Sequence, residues 1–114
     1  MKNNCKKGKL GEELAENILK DKGYEVVCKN YITKYGEIDI IARKEERLVF
    51  VEVKTRTNRS FGEPSESVGK DKRKRIRQTA ESFILDYDGQ WLEAEFQVME
   101  ILINHLENLD FSEV

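Results

Sequence analysis

Several residue types and patterns are scarce in this chain of 114 residues. No apolar run approaches the roughly 20 residues that a membrane-spanning helix needs, so no membrane partner is expected. The N-terminus, Met1-Lys2-Asn3-Asn4-Cys5, is positive, but no apolar segment follows it. That argues against a secretion signal and makes the cytoplasm the expected compartment. The two cysteines, Cys5 and Cys28, have neither a metal-ligand spacing nor a disulfide framework. Cys28 reads as strand packing and Cys5 as tail, and a disulfide is not expected in a reducing compartment. The single histidine, His105, falls in a weakly patterned tail and reads as non-catalytic. The single proline, Pro64, lies with Gly62 in a polar stretch over about 55–66 that reads as a loop.

The most informative scarcity is of basic residues late in the chain. Net charge is −2, which by itself argues weakly against a nucleic-acid partner. Residues 1–77 hold all 20 Lys and Arg against 13 Asp and Glu, a net of +7. Residues 78–114 hold 9 acidic residues and no basic one, a net of −9. A polyanion meets a local field and not an average one. The densest basic stretch is Lys70-Asp71-Lys72-Arg73-Lys74-Arg75-Ile76-Arg77.

The length fits a single domain over 1–114, with 105–114 as a tail. Leu10, Leu14, Ala15, Ile18 and Leu19 recur at helical spacing and predict a helix over about 8–22, which Gly23 stops. Strands are predicted at about 24–30, 37–43 and 48–54, the last two rich in β-branched residues. A second helix is predicted over 67–87, with Val68, Lys72, Ile76, Ala80, Phe83 and Tyr87 on one side. Alternation over 95–103 predicts a final strand. The order α-β-β-β-α-β makes this an α/β protein, a mixed central sheet flanked by helices.

The second and third strands carry the chemistry. Glu52 and Lys54 are two apart and share a strand face. The turn Lys44-Glu45-Glu46-Arg47 sets a register in which Arg43 stands opposite Leu48 and Asp39 opposite Glu52. Carboxylates that close repel unless a positive group sits between them. Their hard oxygens suit Mg²⁺ or Mn²⁺. An Asp-Glu-Lys set in otherwise apolar strands points to phosphodiester hydrolysis. Asp39 and Glu52, with the Val53 carbonyl, would hold the ion, and Lys54 would position or deprotonate a water or screen the phosphate. Glu37 shares a predicted face with Asp39 and reads equally as a supporting group or an ordinary strand-end glutamate.

The chain resembles the YraN-like family of small bacterial proteins. The resemblance rests on Gly8-x-x-Gly11-Glu12-x-x-Ala15, Gly23-Tyr24, Asn30-Tyr31, Gly36-Glu37-Ile38-Asp39-Ile40-Ile41-Ala42, Val49-Phe50-Val51-Glu52-Val53-Lys54-Thr55-Arg56, Phe61-Gly62-x-Pro64 and Val68-x-x-x-Lys72-x-x-x-Ile76. That family is assigned to the restriction-endonuclease-like fold and is similar to archaeal Holliday-junction resolvases. The resemblance implies Glu12 as a further metal contact. It also implies a metal-dependent nuclease acting on DNA, branched DNA included. The family's last strand usually carries Arg-Phe-Asp, where this chain reads Glu95-Phe96-Gln97.

Lys70, Lys72, Arg73, Lys74, Arg75 and Arg77 are candidate phosphate contacts, as are Arg56 and Arg59 just after Lys54. Lys72 lies on the inner side of its helix and is also a candidate to face the active site. A small domain that cuts two strands is expected to act as a homodimer. The competing reading is a nucleic-acid-binding module that keeps the fold without catalysis.

Overall fold

The computed structural model describes residues 10–56 and 69–103. Helix α1 spans Leu10–Asp21, strands β1, β2 and β3 span Glu25–Thr33, Gly36–Lys44 and Arg47–Arg56, helix α2 spans Lys70–Asp86 and strand β4 spans Glu93–Leu102. The order is the expected α-β-β-β-α-β. The sheet runs β1-β2-β3-β4, antiparallel at the first two interfaces and parallel between β3 and β4. A parallel neighbour requires a crossover, and α2 lies within it. Among the described residues, no helix is long and apolar enough to cross a membrane.

The helix stop after α1 works as the sequence suggests. Gly23 takes a φ of +92°, a region cheap for glycine. The Gly23 N–H donates to the Lys20 carbonyl at 3.0 Å and the Tyr24 N–H to the Leu19 carbonyl at 2.9 Å. These bonds satisfy carbonyls that the helix end leaves open and turn the chain into β1.

Leu48, Val49, Phe50 and Val51 are consecutive and all buried, because β3 lies inside the sheet with cover on both faces. Val49 and Val51 join Ala15, Leu19, Ile40, Ala42 and Ile101 on the α1 side. Leu48 and Phe50 join Cys28, Tyr31, Ile38, Ile41 and Phe83 on the α2 side. Cys28 is buried and packs on the α2 side of the sheet, as expected. Cys5, Pro64, Val68 and His105 lie outside the described residues.

The two layers reveal a break in the alternation. Ile38 and Ile40 are two apart, yet Ile38 faces α2 and Ile40 faces α1. Cys28 and Tyr31 are three apart, yet both face α2. In a regular strand neither is possible. The pairs Lys29–Ile40 and Tyr31–Ile38 bracket Asn30 and Asp39, and Asn30 adopts a φ of +53°. Both strands therefore flip faces at one point. β1 continues past the predicted end at residue 30, through Tyr31, Ile32 and Thr33, because the flip moves its period without ending it.

Candidate metal centre

The open end of the β2–β3 hairpin collects the acidic groups. The ladder from the turn runs Lys44–Arg47, Arg43–Leu48, Ala42–Val49, Ile41–Phe50 and Ile40–Val51, which is the register read from the sequence. The expected next pair, Asp39 with Glu52, does not form in the ladder. At the face flip, Asp39 instead turns its Oδ2 to accept a 2.7 Å hydrogen bond from the Val53 N–H. Val53, expected to offer its carbonyl, is thus joined to the site through its amide.

Carboxylate oxygens of Glu12, Glu37 and Asp39 all lie within 4.8 Å of one another. Glu12 arrives from the first turn of α1 and is only 7% exposed. Gly11 makes this approach possible, since a Cβ there would collide with the Thr55 Oγ1. Asn30 holds Glu12 from below, its Nδ2 donating to Glu12 Oε2 at 2.7 Å. Burial pushes the Asp39 carboxyl up to about 6, against the Val53 hydrogen bond, and the neighbouring charges of Glu12, Glu37 and Glu52 raise it further.

Glu52 stands on the α2 side of the same region. Its Oε1 receives the Lys54 Nζ at 2.9 Å and also the Lys72 Nζ from the first turn of α2. Its Oε2 is buried and has no hydrogen-bond partner among the described residues. Burial alone would raise the Glu52 carboxyl; the hydrogen bonds from Lys72 and Lys54 outweigh it and hold the group below its usual value. The Glu52 bond holds the Lys54 ammonium above its own. Glu37, Asp39, Glu52 and Lys72 line one cavity, and Gly11, Glu12, Glu37, Asp39 and Thr55 line a second, so Glu37 and Asp39 border both.

The structure therefore brings Glu12, Asp39, Glu52 and Lys54 together, but the tight carboxylate trio contains Glu37 and not Glu52. Lys72 faces the site. Lys70, Arg73, Lys74, Arg75 and Arg77 are exposed along α2, and Arg56 is half-buried at the end of β3. Arg59 lies outside the described residues. Asn30 is a site residue that strand periodicity does not mark; an asparagine inside a β-branched strand is a usable signal, because asparagine tolerates the left-handed region better than most residues. Asn30→Ala is expected to cost about 2–3 kcal/mol, from lost hydrogen bonding to a charged group plus backbone strain. Asn30→Gly restores the backbone and should be the milder change. Urea denaturation checks the order, and an Ala variant as stable as wild type would refute it.

A family model described as "Uncharacterised protein family UPF0102" matches residues 11–101. A UPF0102 protein of Clostridioides difficile is 44% identical over 111 residues, covering 93% of this chain and 97% of that protein. One from Dictyoglomus turgidum is 44% identical over 102 residues, covering 90% and 86%. One from Nocardia farcinica is 45% identical over 96 residues, covering 84% and 76%.

Proposed function

From the premise that this chain belongs to the UPF0102, or YraN-like, family, we propose that it is a divalent-metal-dependent nuclease that hydrolyses DNA phosphodiesters. The observation that carries this is the convergence of Glu12, Glu37 and Asp39 within 4.8 Å beside a Glu52 whose Oε2 is buried and unpartnered.

The donor set fits a hard cation. Every candidate ligand side chain is a carboxylate, which suits Mg²⁺ or Mn²⁺ over a softer metal. Among the described residues, these four carboxylates and the ammonium groups of Lys54 and Lys72 sum to a formal charge of −2, a balance that favours a cation. Such an ion supplies Lewis-acid chemistry, acidifying water and drawing off charge that builds on a phosphate oxygen. Glu12, Glu37, Asp39 and Glu52 would hold it. Lys54, a quarter exposed beside Glu52, carries a proton at Nζ and is placed to orient a water or to neutralise a phosphate oxygen. The exposed basic residues of α2 begin at the same end of the sheet and would carry the DNA backbone past the site. A two-fold dimer of such domains would address both strands of a duplex or a junction.

The test is cleavage of linear, flap and four-way DNA with Mg²⁺ or Mn²⁺, comparing wild type with Lys54→Ala. Loss of about a hundredfold or more is expected for a group that acts on developing charge. Equal traces of cutting in both proteins would reveal a contaminant and reduce the protein to a binding module.

A further inference from the structure

Two lysines share one oxygen of Glu52 while the other oxygen has no partner among the described residues. Lys54 is the neighbour expected from the strand, two residues along on the same face. Lys72 comes from a different element, α2, where it lies on the inner face of the first turn; its side chain is one-third exposed and enters the cavity that holds Glu37, Asp39 and Glu52.

We propose, resting on the metal-centre reading above, that Lys72 is a resident counter-cation of the site: it occupies Glu52 in the metal-free protein and is displaced by the divalent ion, which frees its ammonium for a substrate phosphate. The electrostatics decide between this and a simple clamp. As a clamp, Lys72 would fix Glu52 and help the ion to bind, with the worth of one hydrogen bond to a charged group. As a charge, it repels an incoming divalent ion a few ångströms away. Even at an effective dielectric of about 20 that repulsion is the larger effect. The metal-free site needs the charge, because four carboxylates crowd one hairpin end. The filled site does not need it. A released Lys72 stays in the first turn of α2, next to Lys70, Arg73 and Lys74, where phosphate contacts belong. Metal occupancy and substrate contact would thereby be linked through one side chain, which acts on the metal through Glu52 and is a positioning residue in that role.

The experiment is titration of the full chain with MnCl₂ alone, followed by calorimetry, for wild type, Lys72→Met, Lys72→Gln, Lys72→Arg and Asp39→Asn. Removal of the charge should tighten Mn²⁺ binding about tenfold in the Met and Gln variants, and the Arg variant should stay near wild type. At saturating Mn²⁺, DNA cleavage by Lys72→Met should fall even though its metal binds more tightly. A purely structural lysine could not produce that opposition of signs. Mn²⁺ affinity unchanged or weakened in both Met and Gln variants, with wild type binding and Asp39→Asn not, overturns the counter-cation role and leaves the metal centre standing. Wild type and Asp39→Asn that bind Mn²⁺ equally, or not at all, overturn the metal centre itself.

Discussion

Asp39→Asn is expected to stabilise the metal-free protein at neutral pH while abolishing metal-dependent cleavage. Burial, then the charges of Glu12, Glu37 and Glu52, raise the Asp39 carboxyl from 3.8 to about 6. A raised carboxyl holds a proton in the folded state that the unfolded chain has already released. Stability therefore falls as pH rises from about 4 to 6, and the deficit remains complete above that window. Asparagine cannot ionise, and its Oδ1 can still accept the Val53 N–H while its amide donates toward Glu12 or Glu37. The gain at pH 7 should be about 1 kcal/mol after discounting for solvent around a half-buried group, and it should vanish below pH 4. Mn²⁺ should raise the melting temperature of wild type and leave that of the variant unmoved. Cleavage should drop by about a thousandfold, since the lost interaction is worth several kcal/mol of transition-state charge. Urea denaturation of both proteins from pH 4 to 7 gives the stability half of this expectation. A difference that does not change with pH would mean that Asp39 is not ionised against its neighbours.

That opposition of stability and activity also explains which parts of the site were legible in the sequence. Strand periodicity and the Lys44–Arg47 turn gave the hairpin register, and the ladder follows it to Ile40–Val51. The register rests on hydrophobic alternation, which a core enforces strongly. Beyond Ile40 the alternation changes phase, and Ile38 and Tyr31 pack into the α2-side core. Asn30 enters the left-handed region, both strands flip, and Asp39 leaves its expected place opposite Glu52 for the Val53 amide. Period-2 reasoning cannot see such a flip, because each flanking segment still alternates correctly. For the same reason periodicity leaves Glu37 equally a supporting group or an ordinary strand-end glutamate, although it completes the trio with Glu12 and Asp39. Glu12 was reachable only through the family resemblance, since its approach depends on Gly11 lying against Thr55, a tertiary contact. Lys72 was legible as an inward position because helical periodicity survives along α2, where Ile76, Thr79 and Phe83 continue its stripe.

Replacing Lys70, Arg73, Lys74 and Arg77 together by Gln is expected to weaken DNA binding strongly and to leave folding and metal affinity intact. The four follow helical spacing along one exposed stripe of α2, away from the buried Thr79 and Phe83. Lys72 is kept, because it belongs to Glu52, and Arg75 is kept, because it packs close to Gly36. Each phosphate that a lysine or arginine neutralises releases counterions and contributes about −0.9 to the slope of log affinity against log salt on a duplex. Four such contacts set a slope difference of about 3 to 4, so between 50 and 200 mM salt wild type should lose roughly a hundredfold more affinity than the variant. Identical slopes would make this stripe a solvated helix face and nothing more. The measurement also separates catalysis from binding. A variant that holds Mn²⁺ like wild type, and recovers cleavage when DNA is raised in concentration or salt is lowered, has lost only its grip on the backbone. The net charge of −2 is no obstacle to that grip, because Glu93, Glu95 and Glu100 put acidic charge on the edge strand β4 while α2 concentrates the basic charge beside the carboxylates. A phosphate backbone drawn to α2 would thereby be drawn to the end of the sheet where Asp39, Glu52 and Lys54 stand together.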